Sequence, residues 1–141
     1  MQYDEFLTLV QQRAGLNSRT RAADVTHATL ETLAERIDAD TADNLAAQLP
    51  PGIARFLRNR SGGAVEDFPL DECRRRVAHR ADIESDEAIR ELRVVLQALT
   101  EAVAEGQVKH LWAELPGDYR SLFALARNSG QHGAVSAPAN E

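Results

Sequence analysis

Cys73-Arg74-Arg75-Arg76-Val77-Ala78-His79-Arg80 is the stretch whose residue types could do chemistry. A thiol among guanidiniums acquires a low pKa and becomes a nucleophile if it is exposed. The guanidiniums themselves suit planar, bidentate anion contacts. On a helix, Cys73, Val77 and Ala81 face inward. Arg76 and Arg80 are i, i+4 neighbours, and Arg75 and His79 are another such pair. Joined by Arg55, Arg58 and Arg60, they would form a positive strip for an anion, RNA or an acidic partner. The competing reading is a solvated helix face whose arginines pair with Asp71, Glu72 and other acids. Arg74, Arg75, Arg76 and Arg80 are the candidate binding residues of this segment.

Other groups carry weaker signals. Asp38-Ala-Asp40-Thr-Ala-Asp43 begins like a calcium loop, but Asp43 stands where the glycine belongs and Leu49 where the last glutamate belongs. Helix capping accounts for these acids, with Asp40 as the expected cap. His27, His79, His110 and His132 have no ligand spacing, and His27 with Glu31 is one i, i+4 pair, short of a metal site. No nucleophile elbow, phosphate loop or HExxH occurs. The residues imply no cofactor and no metal.

These side chains must be positioned by helices. Aromatic residues are 5% of the chain, so Leu, Val, Ile and Ala must build the core, which favours helices over a β-sandwich. Tyr3, Phe6, Leu7, Val10 and Ala14 keep helical spacing, as do Leu70, Cys73, Val77 and Ala81. Thr26, Leu30, Leu33 and Ile37 mark a longer helix, and Leu92, Leu96, Leu99 and Val103 its counterpart. Ala42, Leu45, Ala46 and Leu49 mark a short one, echoed by Val108, Leu111, Trp112 and Leu115. Asn17–Ser18 and Ser85 are expected caps, and Gly106 an expected helix terminator.

These echoes are systematic. Slid 66 residues along itself, the sequence sets Leu30 on Leu96, Leu33 on Leu99, Glu35 on Glu101, Leu45 on Leu111 and Leu49–Pro50 on Leu115–Pro116. One further residue of slip sets Glu5–Phe6 on Glu72–Cys73, Val10 on Val77 and Arg13–Ala14 on Arg80–Ala81. The pattern predicts an internal duplication. Leu-Pro is then a corner, since a proline disfavours helix at the residue before it and suits the first turn of the next. Ile53, Phe56 and Leu57 follow on one helix face, and Tyr119, Leu122 and Phe123 on its counterpart.

The predicted fold is all-α: two tandem copies of a four-helix unit, one helix of each short, packed as one pseudo-symmetric domain. Repeat 1 spans residues 1–60, a connection 61–68, repeat 2 69–126 and a flexible tail 127–141. Two separate bundles joined at Gly62–Gly63 are the alternative. Within the duplication, Cys73 replaces Phe6, which favours a buried small hydrophobe. Trp112 replaces Ala46, either filling the core or anchoring a partner. Glu35 and Glu101 recur and are expected at solvent-exposed helix positions.

The duplicated elements resemble the bacterial family called domain of unknown function 2267 over about residues 2–126. The carrying residues are Glu5–Phe6, Val10, Leu30, Leu33, Arg36–Ile37, Leu45 and Ala47–Gln48–Leu49–Pro50. In the second half they are Glu72, Val77, Leu96, Leu99, Leu111 and Leu115–Pro116. Cys73 and Ala113–Glu114 depart from the pattern. The resemblance implies a small, all-helical, cytosolic bacterial protein. It carries over no catalytic residue, because the family has no assigned activity.

Composition bounds the function. The chain has 141 residues, 43% hydrophobic and 27% charged, enough for one domain or two very small ones. A net charge of −6 argues against binding nucleic acid over the whole surface. Lys109 is the single lysine among sixteen basic residues. One cysteine excludes an internal disulfide and a Cys₂ or Cys₄ metal site. The acidic start is unlike a signal peptide, and no apolar run reaches the ~18 residues of a membrane span. The expected location is the cytoplasm, away from membranes. The leading expectation is a non-catalytic interaction or scaffold protein with an unidentified protein partner. Local nucleic-acid or anion binding by the arginine strip is the second. An enzyme with a cleft between the copies has no positive support in the sequence.

Overall fold

The computed structural model describes residues 1–58, 65–115 and 117–122. It is all-α, with no strand among the described residues. In chain order the helices are α1 (Tyr3–Ala14), α2 (Arg19–Arg36), α3 (Ala39–Ala46), α4 (Pro51–Arg58), α5 (Leu70–Ala81), α6 (Ser85–Ala102) and α7 (Glu105–Glu114). Residues 117–122 form a last helix, α8. α1 and α5 each have 12 residues, and α2 and α6 each have 18. The glycine connection and the C-terminal tail lie outside the described residues.

Local chemistry sets most helix ends. Gln2 and Glu5 form a capping box at the start of α1. Gly15 ends that helix at φ 67°, a left-handed conformation that costs glycine nothing. The Ser18 side chain accepts the Arg21 N–H at the start of α2. Four expected boundaries fall elsewhere. Asp38, not Asp40, caps α3 by accepting the Thr41 N–H at 2.8 Å, because the chain turns helical at Ala39, directly after it. Glu84, not Ser85, caps α6; its longer side chain reaches the N3 amide while Glu87 reaches back. Gly106 does not end α6. That helix stops at Ala102, and Gly106 lies inside α7. At the first Leu-Pro corner α3 closes at Ala46, a turn follows, and Pro51 rather than Pro50 is the first residue of α4. Leu115 is extended before its proline, as the steric rule requires.

The buried residues form one continuous cluster that includes Phe6, Leu30 and Leu57 from the first half and Val77, Leu99 and Leu111 from the second. Burying each such Leu fully contributes about 1.5–3 kcal/mol. α2 and α6 pack against each other at the centre. α1 lies on both α2 and α6, and α5 lies on both as well. α4 packs on α1, α2 and α3, and α3 meets α7. The two halves therefore share one core, and the first helix of each half touches the long helix of the other.

Candidate functional site

The α5 arginines are paired with acids. Arg74 bonds Asp71. Arg75 donates to Glu72 at 2.8 and 3.0 Å and to Asp71 at 2.9 Å. Arg76 reaches three carboxylates, Glu72 and Glu35 at 2.9 Å and Glu66 at 3.0 Å, with its guanidinium 4.1 Å from the Phe68 ring centroid. Arg80 forks onto Glu35 at 3.0 and 2.5 Å and donates to the Thr32 hydroxyl at 2.8 Å. All four guanidiniums thus face carboxylates. The field of the strip is locally cancelled, and Arg75 is the most exposed of the four.

Glu35 is the hub of this network. It stands at the end of α2 that α5 covers, and its side chain is 29% exposed, so the solvent-exposed position expected of it is not what the fold provides. Burial pushes its carboxyl up, but hydrogen bonds from Arg80 and then Arg76 outweigh that and hold it below the ordinary range. Hydrogen bonds from Arg76 and Arg75 depress Glu72 in the same way.

The matching place in the other half carries the matching pair. Arg13 on α1 binds Glu101 on α6 at 2.6 and 3.1 Å. Arg13 aligns with Arg80 and Glu101 with Glu35 when the sequence is slid along itself. The Gln and Glu of the repeated Leu-Pro segments behave alike. Gln48 accepts the Ala104 N–H at 2.5 Å, at the start of α7. Glu114 accepts the Asp38 N–H at 2.8 Å and bonds the Thr41 hydroxyl, at the start of α3. Ala104 supplies no side-chain cap of its own, so the other half caps α7. The repeated segment, a corner by its Leu-Pro, thus also caps a helix of the other half. The repetition of a side-chain acceptor before Leu-Pro was the available signal for this second role.

The remaining candidates lie in packing and capping positions. Cys73 is buried, and burial pushes its thiol up to about 12, which removes the nucleophile reading. Trp112 is half-buried and packs on the core. Asp38 is occupied as a cap, its carboxyl lowered by the Thr41 N–H it accepts. No group of three or more His, Cys, Asp or Glu residues among the described ones could hold a metal ion. No helix among the described residues is long and apolar enough to cross a membrane. Arg60 of the proposed strip lies outside the described residues.

One charged place is built differently. Pro51, Arg55, Phe56 and Arg58 line an open cavity on α4. Both guanidiniums are exposed. Among the described residues no carboxylate pairs with Arg55, whose guanidinium lies 4.8 Å from the Phe56 ring centroid. Arg58 has Asp43 at 4.0 Å. His27 from α2 backs Phe56, its ring stacked at 3.9 Å and 16°. The Tyr3 hydroxyl lies 3.5 Å from His27 Nε2, and the Tyr3 ring packs on Gly52, where a β-carbon would come within 2.6 Å of it. Burial and then the nearby Arg55 lower the His27 pKa, so the imidazole is neutral at pH 7.

A family model described as an uncharacterized conserved protein, DUF2267, matches residues 3–122. No curated protein matches the chain significantly.

Proposed function

The chain belongs to the DUF2267 family of uncharacterized conserved proteins, and on that premise we propose that it is a non-catalytic protein-interaction scaffold made of two duplicated helical halves. One observation carries the reading: side chains of each half are committed to the other. Arg13 with Glu101, Arg80 with Glu35, Gln48 with Ala104 and Glu114 with Asp38 fix the halves at reciprocal places. Such cross-bracing favours a body of fixed shape, which suits presentation of surfaces to a partner. The residue types that suggested reactivity are used in holding it together. The setting we propose is the bacterial cytoplasm, away from membranes.

The test is capture from a bacterial lysate, with and without nuclease, using the wild type and the Arg74→Ala/Arg75→Ala variant. That variant leaves the Arg76 and Arg80 contacts to Glu35 intact. A specific protein that stays bound after nuclease, to both forms, supports the scaffold. Material that nuclease removes, and that the variant fails to hold, would replace it with nucleic-acid binding by the α5 strip.

A further inference from the structure

We propose that the α4 face of Pro51, Arg55, Phe56 and Arg58 is the docking surface for an acidic segment of a partner protein; this rests on the scaffold reading above. Most guanidiniums of the described chain are matched by carboxylates. Those of Arg13, Arg19, Arg21, Arg36 and the α5 arginines all have acids within 3.2 Å. Arg55 departs from this pattern, as do Arg93 and Arg120, and Arg55 lines a cavity beside a second exposed arginine. It has no carboxylate partner among the described residues, although the protein carries a net charge of −6. Arg58, half exposed, touches Asp43 only at 4.0 Å, the limit of an ion pair.

Arg55 and Arg58 stand at i, i+3, on one side of α4, where their heads can meet two carboxylates of one short segment. Phe56 and Pro51 add an apolar lining to the same cavity. Arginine and aromatic residues around a concavity are the composition of interface anchors. The aromatic part is held in place before any partner arrives. His27 stacks behind Phe56, Tyr3 lies against His27, and Tyr3 also packs on the backbone of Gly52. A fixed anchor loses little entropy on binding. The negative charge of the rest of the molecule repels an acidic segment elsewhere and so favours this face.

The probe is a synthetic ten-residue peptide with glutamates three apart around one leucine, titrated into the full chain while backbone amide NMR signals are followed. Controls are the same peptide with Gln for Glu, inorganic phosphate and single-stranded RNA. The proposal expects shifts at Gly52–Arg58 and His27, at least about tenfold weaker binding of the Gln peptide, and weakening with added salt. Arg55→Glu/Arg58→Glu should abolish the shifts while the amide signals away from α4 keep their native positions, since both side chains are exposed. Leaving α4 unperturbed, or an equal response to phosphate or RNA, would overturn it. A lysate partner that survives nuclease and also survives Arg55→Glu/Arg58→Glu would overturn this surface while leaving the scaffold reading in place. If nuclease leaves no protein partner, both readings fall.

Discussion

Arg13 meets both oxygens of Glu101, at 2.6 and 3.1 Å, across 88 residues of sequence. The contact ties α1 to α6, and Arg80 with Glu35 ties α5 to α2 in return. The second bridge is embedded in a larger network. Glu35 also holds Arg76, and Arg80 also holds Thr32.

That asymmetry predicts unequal coupling. Both bridges are about a third exposed, so solvent weakens them. A double-mutant cycle on Arg80→Ala and Glu35→Ala, read by urea unfolding, should give about 1 kcal/mol of coupling. The cycle on Arg13→Ala and Glu101→Ala should give about 0.5 kcal/mol or less. Equal couplings would contradict the role of Glu35 as hub.

The exchanged caps predict an effect in the opposite half. Gln48→Ala and Glu114→Ala should each cost about 1 kcal/mol, the usual loss of a cap. Hydrogen exchange should accelerate at the Ala104 amide in the first variant and at the Asp38 amide in the second. Gln48→Glu and Glu114→Gln keep an acceptor oxygen and should preserve protection. Unchanged exchange in the alanine variants would disprove the capping.

Glu91 on α6 is fully buried and faces Arg21 on α2 at 3.2 Å, with Arg90 at 3.8 Å and Glu87 close by on the same arginine. Burial, outweighing Arg21, raises its carboxyl above the ordinary value. The folded state therefore holds the Glu91 proton more tightly than the unfolded chain. Its contribution to stability is full below the unfolded pKa and is lost as pH rises through the folded one. Glu91→Gln should flatten that limb of the stability profile. Arg21→Ala should cost about 3 kcal/mol at pH 7, where it strands a buried carboxylate. The loss should shrink in acid, where Glu91 is protonated, and a loss independent of pH would count against the pairing.

His27 should titrate below 6.5 in a proton-NMR experiment, because burial and then Arg55 disfavour its cation. Between the lowered folded value and 6.5 the unfolded chain binds more protons, so stability rises with pH through that window. Arg55→Ala should raise the His27 pKa yet leave it below 6.5, burial being the larger cause. Titration above 6.5 in that variant would reverse the order of the two causes.

Cys73, with its thiol pushed up to about 12, should resist iodoacetamide in the native protein and react promptly once unfolded. Prompt native labelling at pH 8 would contradict its burial.

Helix identity was legible because it is local. Leu30, Leu33, Leu96 and Leu99 lie at helical spacing, and all four are buried in the shared core. Ser18 caps α2 as its type suggests, since a hydroxyl and an amide three residues on need nothing else. The ends of α3 and α6 were less legible. Several acids stand near the start of α3, and α6 stops where Ala104 meets Gln48 from the other half.

The arginine run shows the same division. Its charges are plain in the sequence, and so are Asp71 and Glu72 one turn away. Glu35, which gathers Arg76 and Arg80, lies 41 and 45 residues from them and enters the network only when α5 packs on α2. The lack of a carboxylate partner for Arg55 among the described residues and the stacking of His27 on Phe56 likewise depend on how α2 and α4 meet. Apolar periodicity by itself determined the helices and the direction each one buries, because backbone geometry repeats every 3.6 residues. Tertiary structure decided which charges far apart in sequence are cancelled and which remain open, because an ion pair depends on distance in space and on the water removed around it.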